Sequence, residues 1–305
     1  MIQYLYLGRL GYADALRLQE ELVSLRTEGR IGNTFLLLEH PPVLTLGRNA
    51  NRANILASND LLARRGVTLH DINRGGDVTY HGPGQLIGYP IFDLRSLRNA
   101  NGGRLGPVDF VRLMEEALIR VCAEFGVEAG RICGLTGVWC HLRWGGPLDE
   151  GCGTTAKNHP AGERKIAAIG IHVSRGVTSH GFAFNVTTDL RDFSLINPCG
   201  ITDRPVTSLE KEVADPKSLP DLESIAHRAA RQFGFVFGQQ VLAVESLAAL
   251  RAQAQSAQSG TAADSDAESD AAHTPAREFP AEDTPLKTPP EIERLRGAKS
   301  RPVSA

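Results

Sequence analysis

Apolar residues recur along this chain in two rhythms. Ala15, Leu18, Leu22 and Leu25 fall three or four positions apart, which predicts a helix over 12–27. Phe110, Met114, Leu118, Val121 and Phe125 repeat that spacing. Pro107 suits the first turn and Gly126 the exit, so a second helix is expected between them. Leu222, Ile225, Ala229 and Phe233 mark another. The remaining apolar runs are shorter. Residues 34–39 and 43–46 read as buried strands, separated by the break at His40-Pro41-Pro42. Further strands are expected at 78–80, within 85–94, and over 165–173 and 181–186. Thr207-Ser208-Leu209-Glu210 has the spacing of a capping box. Strands outnumber helices and cluster in adjacent pairs. That pattern predicts an α+β fold with a mixed or largely antiparallel sheet flanked by helices, not a doubly wound one.

The patterning fades near residue 250. No linker or repeat interrupts residues 1–250, which read as one domain. Residues 251–305 are rich in Ala, Ser, Asp, Glu and Pro, with few and scattered large apolar side chains. Such a segment buries too little surface to offset its ordering entropy, so a disordered tail is expected, with a short helix at 291–296.

Charge narrows the function. The chain carries 33 Lys plus Arg and 35 Asp plus Glu, a formal net charge of −2. A general nucleic-acid binder would show a basic excess. No apolar run is long enough to span a membrane. The N-terminal Met1-Ile2-Gln3-Tyr4-Leu5-Tyr6 lacks the features of a secretory signal, so a cytoplasmic protein with reduced thiols is expected.

Three constellations carry candidate chemistry. In Arg74-Gly75-Gly76-Asp77-Val78-Thr79-Tyr80-His81-Gly82-Pro83-Gly84-Gln85, glycines let backbone lie against a ligand, while Arg74, Asp77, Tyr80 and His81 offer polar handles. The same composition also suits a glycine-kinked hairpin. It is neither a Walker loop nor a dinucleotide fingerprint. In Asn197-Pro198-Cys199-Gly200-Ile201 a thiol sits on a tight turn, where it can act as a nucleophile. Cys122, Cys133 and Cys140 lie in apolar surroundings and read as packed thiols. Lys165 heads the apolar run Ile166-Ala167-Ala168-Ile169-Gly170-Ile171; a semi-buried ammonium there would favour a nearby thiolate. A solvated strand end is the plainer reading of a single lysine. Cys140, His141, Cys152 and His159 match none of the usual zinc spacings, and no metal is expected.

Taken in order, these segments resemble the lipoyl(octanoyl) transferase family, within the biotin and lipoate protein ligase superfamily. The resemblance runs over about residues 1–245. Its motifs are 74–85, Gly137-Val138-Trp139, 165–170, His180-Gly181-Phe182-Ala183-Phe184-Asn185-Val186 and Asn197-Pro198-Cys199-Gly200. It implies a single catalytic domain of ligase-like α+β fold over 1–250. It also implies transfer of an octanoyl or lipoyl group, within lipoate biosynthesis, from acyl carrier protein to a lysine of a lipoyl domain. The implied acceptors are the E2 subunits of 2-oxoacid dehydrogenases and the glycine-cleavage H protein; no cofactor is implied. The family's catalytic pair falls on Cys199 and Lys165. Its acyl-binding segments fall on Arg74, Gly75, Gly76, Asp77, Val78, Thr79, Tyr80 and His81, on Ala168, Ile169 and Gly170, and on Gly181, Phe182 and Ala183. Two features depart from the family pattern: an insertion at about 141–163, and the tail.

A thioester donor suits a cysteine nucleophile, because an acyl-Cys199 intermediate lets two protein partners bind in turn. Lys165 would favour the Cys199 thiolate and later take the acceptor's proton; His81 is the alternative base. Val78, Ile169 and Phe182 could line an acyl slot. Two rival readings remain at this level: an ATP-dependent lipoate or biotin ligase, and a non-enzymatic acyl-protein binding module.

Overall fold

In a computed structural model of the chain, residues 1–99, 102–141, 162–197 and 204–265 are described. Cys199 and its turn, most of the insertion with Cys152 and His159, and residues 266–305 with the short helix expected at 291–296 lie outside the described residues. The chain divides into two units, Met1–Ala262 and Ala263–Ala305, and the sheets belong to the first.

The strands in chain order are β1 (Ile2–Arg9), β2 (Asn33–Glu39), β3 (Val43–Leu46), β4 (Thr68–Asp71), β5 (Val78–His81), β6 (Gln85–Ile91), β7 (Ala129–Ile132), β8 (Leu135–Cys140), β9 (Arg164–Ser174), β10 (Val177–Asn185) and β11 (Val241–Ala243). The helices are α1 (Tyr12–Thr27), α2 (Asn59–Arg64), α3 (Pro107–Glu124), α4 (Leu209–Glu212), α5 (Leu222–Val236) and α6 (Leu247–Ser265). Eight strands join in the order β11-β1-β2-β6-β10-β9-β8-β7, and three more in the order β4-β3-β5. β1 pairs in parallel with β2 and β11; from β2 to β7 every pairing is antiparallel. The sheet is therefore mixed and the fold α+β, as the strand-rich pattern predicts.

Alternation along β2 explains why its run is apolar throughout. Phe35 and Leu37 enter one core, which α3 and α5 cover, and Leu36 and Leu38 enter another, beneath α1 and α6. The first core holds an aromatic stack, Phe35 on Phe233 at 4.3 Å between ring centroids, with Phe182 edge-on to Phe35. A third core, with Leu44, Leu62, Val78, Tyr80 and Phe193, packs the small sheet.

The structure departs from the sequence reading at several places. β1, β4, β7 and β11 fall outside the expected strands, and β3 belongs to the small sheet. Ser208, not Thr207, is the N-cap of α4; the Thr207 hydroxyl donates to Glu212 instead. The boundary expected at 250 does not hold, because α6 runs across it. Leu250 and Ala254 are buried in the second core, and Arg251 forms an ion pair with Glu21 of α1. An Ala-rich stretch with Leu247, Leu250 and Ala254 at helical spacing has enough propensity and enough of an apolar stripe to pack.

Candidate active site

β9 and β10 build the floor of a cavity. Ala168 lies opposite Ala183 and Gly170 opposite Gly181. Directly opposed residues share a face, and so do alternate positions along a strand. Two alanines and two glycines therefore line one trough. Glycine at 170 has a specific cause: a Cβ there would stand 2.9 Å from the Gly75 carbonyl oxygen. The glycine-rich loop lies that close to the strand, and Gly75 N donates to Ile171 O at 3.0 Å.

That loop and β5 form the opposite wall. Arg74 is buried; its Nη2 donates to the carbonyl and hydroxyl of Thr45, both at 2.9 Å, and its Nη1 to Gly75 O at 3.0 Å. The cavity has a volume of about 60 Å³ and opens to solvent. Arg74, Gly75, Gly76, Thr79 and His81 border it, with Ala168, Ile169, Gly170, Gly181, Phe182 and Ala183. Eleven of the fourteen positions expected to bind the acyl group thus meet around one space.

Asp77, Val78 and Tyr80 do not line it, which corrects the reading of 74–81 as one continuous lining. Strand alternation is the reason: Thr79 and His81 face the cavity, while Val78 and Tyr80 turn into the third core. Tyr80 donates its hydroxyl to Asp192 at 2.7 Å. Asp77 accepts from Asn51 N at 2.9 Å and from the Asn54 amide, so it secures a neighbouring loop.

Tyr12, Tyr89 and His180 also line it among the described residues; His180 stands in a family motif, but none of the three was expected to bind the acyl group. Tyr12 and Tyr89 were legible only as members of apolar elements. His180 adopts φ +56°, rare for a residue with a side chain. Its backbone N–H donates to Gln19 of α1 at 2.7 Å, and its Nε2 lies 2.7 Å from Asn73 Oδ1.

The histidines around the cavity are neutral. Burial pushes His40 and His180 down to about 4 and His81 down to about 3, with the Arg74 charge adding to the effect at His180 and His81. His40 Nδ1 donates to Leu10 O at 2.7 Å, leaving Nε2 to accept from the Tyr89 hydroxyl at 2.8 Å. Burial also raises the Tyr12 and Tyr89 phenols, so both remain protonated.

Lys165 lies outside the cavity lining, three positions before Ala168 on β9. Its Nζ is 4.6 Å from the centroid of the Trp139 ring on β8, a face that attracts a cation. Backbone bonds bracket it: Lys165 N donates to Pro205 O and Thr207 N to Lys165 O, each at 2.9 Å. The buried Arg204 and Glu163 approach to 3.5 Å beside this bridge. Residues 205–207 are thus anchored beside Lys165.

Among the described residues, the free thiols Cys122 and Cys140 are poor nucleophiles. Burial, reinforced by Glu212, pushes Cys140 up to about 12, and burial raises Cys122 as well. Among the described residues no helix is long and apolar enough to cross a membrane.

Comparison with known proteins adds an independent line. Residues 11–234 match the lipoyl protein ligase A/B catalytic domain. The chain is 61% identical over 247 residues to a protein of Acidobacterium capsulatum named octanoyltransferase, covering 81% of this chain and 94% of that one. A Koribacter versatilis protein of the same name is 53% identical over 247 residues, covering 81% of this chain and 88% of its own length. Among solved structures, a bipartite lipoate protein ligase from Thermoplasma acidophilum aligns with TM-score 0.58 at 17% identity, over 84% of this chain and 91% of that one. A lipoate-protein ligase A bound with ATP aligns with TM-score 0.52 at 16% identity, over 84% and 94%. At such identities these two speak for the fold.

Proposed function

The chain belongs to the lipoyl protein ligase A/B catalytic-domain family, and from that premise we propose that it is an octanoyltransferase working through an acyl-cysteine at Cys199. It is an acyltransferase of lipoate biosynthesis acting on protein substrates. The donor is octanoyl-acyl carrier protein; the acceptors are lysines on lipoyl domains, in the E2 subunits of 2-oxoacid dehydrogenases and in the glycine-cleavage H protein.

The observation that carries this reading is the cavity between the glycine-rich loop and the small-residue trough. Among the described residues its lining is mostly apolar and carries no acidic side chain. An octanoyl chain gains about 0.8 kcal/mol for each methylene buried in such a slot. The Cys199 thiolate attacks the thioester carbonyl, and the carrier's thiolate leaves with the electron pair of the broken C–S bond. The acceptor amine then attacks acyl-Cys199, an amide bond forms, and the cysteine sulfur departs. A proton must leave the attacking amine, and Lys165 takes it, having given its own proton to the departing carrier thiolate.

His81 is unsuited to that task. Burial depresses its affinity for a proton, with Nδ1 bonded to Gln85 Oε1 at 2.8 Å and Nε2 facing the Thr45 hydroxyl. ATP-dependent ligation is not favoured, since the high-identity relatives carry the transferase name. The test is Cys199→Ala: transfer from octanoyl-acyl carrier protein to a lipoyl domain should vanish while the fold persists. Wild-type turnover by this variant would refute the acyl-cysteine route.

A further inference from the structure

We propose that Gln85 and Asn185 are positioning residues for the transfer: a one-way row of buried hydrogen bonds through them sets the tautomer of His81 in the cavity wall and holds the segment that brackets Lys165. The second half of this statement rests on the reading of Lys165 as the catalytic lysine.

The direction of the row follows from its ends. The carbonyl oxygens of Thr207 and Tyr80 can only accept. Asn185 Nδ2 therefore donates to Thr207 O, at 2.9 Å. Asn185 Oδ1 is left to accept from Gln85 Nε2 at 2.8 Å, and the same Nε2 reaches Tyr80 O at 3.3 Å. Gln85 Oε1 must then accept from His81 Nδ1, at 2.8 Å. His81 is thereby the Nδ1–H tautomer, with its Nε2 lone pair towards the Thr45 hydroxyl at 3.4 Å. That hydroxyl accepts from Arg74 Nη2, which leaves its own proton to point at His81. Turning either amide over would set acceptor against acceptor at a carbonyl.

The row is buried along its length: Gln85 is 1% exposed, Asn185 4% and Thr207 1%. A mismatched polar group there has no water to turn to. Neither Gln85 nor Asn185 borders the cavity, so each acts through a neighbour. At one end the neighbour is His81, in the wall. At the other it is Thr207, whose N–H holds the Lys165 carbonyl. The acyl cavity and the lysine's backbone bridge are thus tied by side chains from β6 and β10.

Three measurements test this. In the wild-type protein, nitrogen chemical shifts of His81 should show the proton on Nδ1 and no titration from about pH 5 to about pH 8. Gln85→Glu and Asn185→Asp keep shape but replace an N–H donor by an oxygen facing an acceptor. Each should lower kcat for octanoyl transfer roughly ten- to a hundredfold, with KM for the octanoyl donor close to wild type. In Gln85→Glu the His81 resonances should also shift towards the imidazolium form at higher pH than in wild type. A wild-type His81 carrying its proton on Nε2, or folded variants with wild-type kcat, overturns the proposal. If a variant does not fold, the wild-type tautomer decides. Lys165→Ala separates the two ideas: normal turnover there defeats the reading of Lys165, while the His81 tautomer still tests the row.

Discussion

Ala168 faces Ala183 across β9 and β10, and both point into the trough. A larger side chain at either position takes the space of the ligand's methylenes. Ala168→Leu should depress transfer of octanoyl far more than of butanoyl, because only the longer chain reaches the filled part. Equal effects on both donors, compared by kcat/KM, would show that Ala168 does not border the acyl path. Lys165 separates charge from proton transfer. Lys165→Arg keeps the cation but holds its proton near neutrality. The variant should acylate at Cys199 and then stall, visible as accumulated acyl-enzyme by intact mass with donor and acceptor present. Normal turnover would move the search for the base elsewhere. At this scale the sequence was most legible where glycines cluster, since a run such as Arg74-Gly75-Gly76 has few purposes. It was least legible at His180, because no pattern announces a left-handed backbone in mid-strand. Val78 and Tyr80 were assigned with their neighbours because a motif in a sequence does not show which face of a strand each residue takes, and Asp77 because it does not show which loop a carboxylate secures.

The longer elements were read from periodicity alone. α1 and α3 emerge within a residue or so of the expected spans, and α5 carries its stripe from Leu222 through Phe233 on to Val236. β1 was hidden because Tyr4 and Tyr6 blur its alternation. α6 was hidden by composition: Ala, Gln and Ser read as low complexity, yet Leu250 and Ala254 fill the second core. Leu250 is fully buried, so Leu250→Ala should destabilise the protein by about 2–5 kcal/mol, the usual cost of emptying a buried leucine site. Chemical denaturation measures this directly. An unchanged midpoint would mean that α6 contributes nothing to the fold in solution.

Across the whole molecule, three buried neutral histidines couple the site to stability. His40, His81 and His180 titrate at about 4, 3 and 4 in the folded protein, below the ordinary value of about 6.5. Between those limits the unfolded chain binds more protons than the folded one, so stability should fall as pH drops from about 6.5 towards 4. Thermal midpoints at neutral and mildly acidic pH check the sign, and a higher midpoint in acid would contradict it. Catalysis makes the stronger demand, because it requires the cavity, Lys165 and Cys199 to act on one acyl group. The most direct measurement is the intact mass of the wild-type protein incubated with octanoyl-acyl carrier protein, without ATP and before any acceptor is added. The mass should rise by one octanoyl group, mapped to Cys199, and that group should pass to a lipoyl domain added afterwards. A protein that gains no acyl group yet modifies the lipoyl domain, or does so only with ATP, would contradict the account.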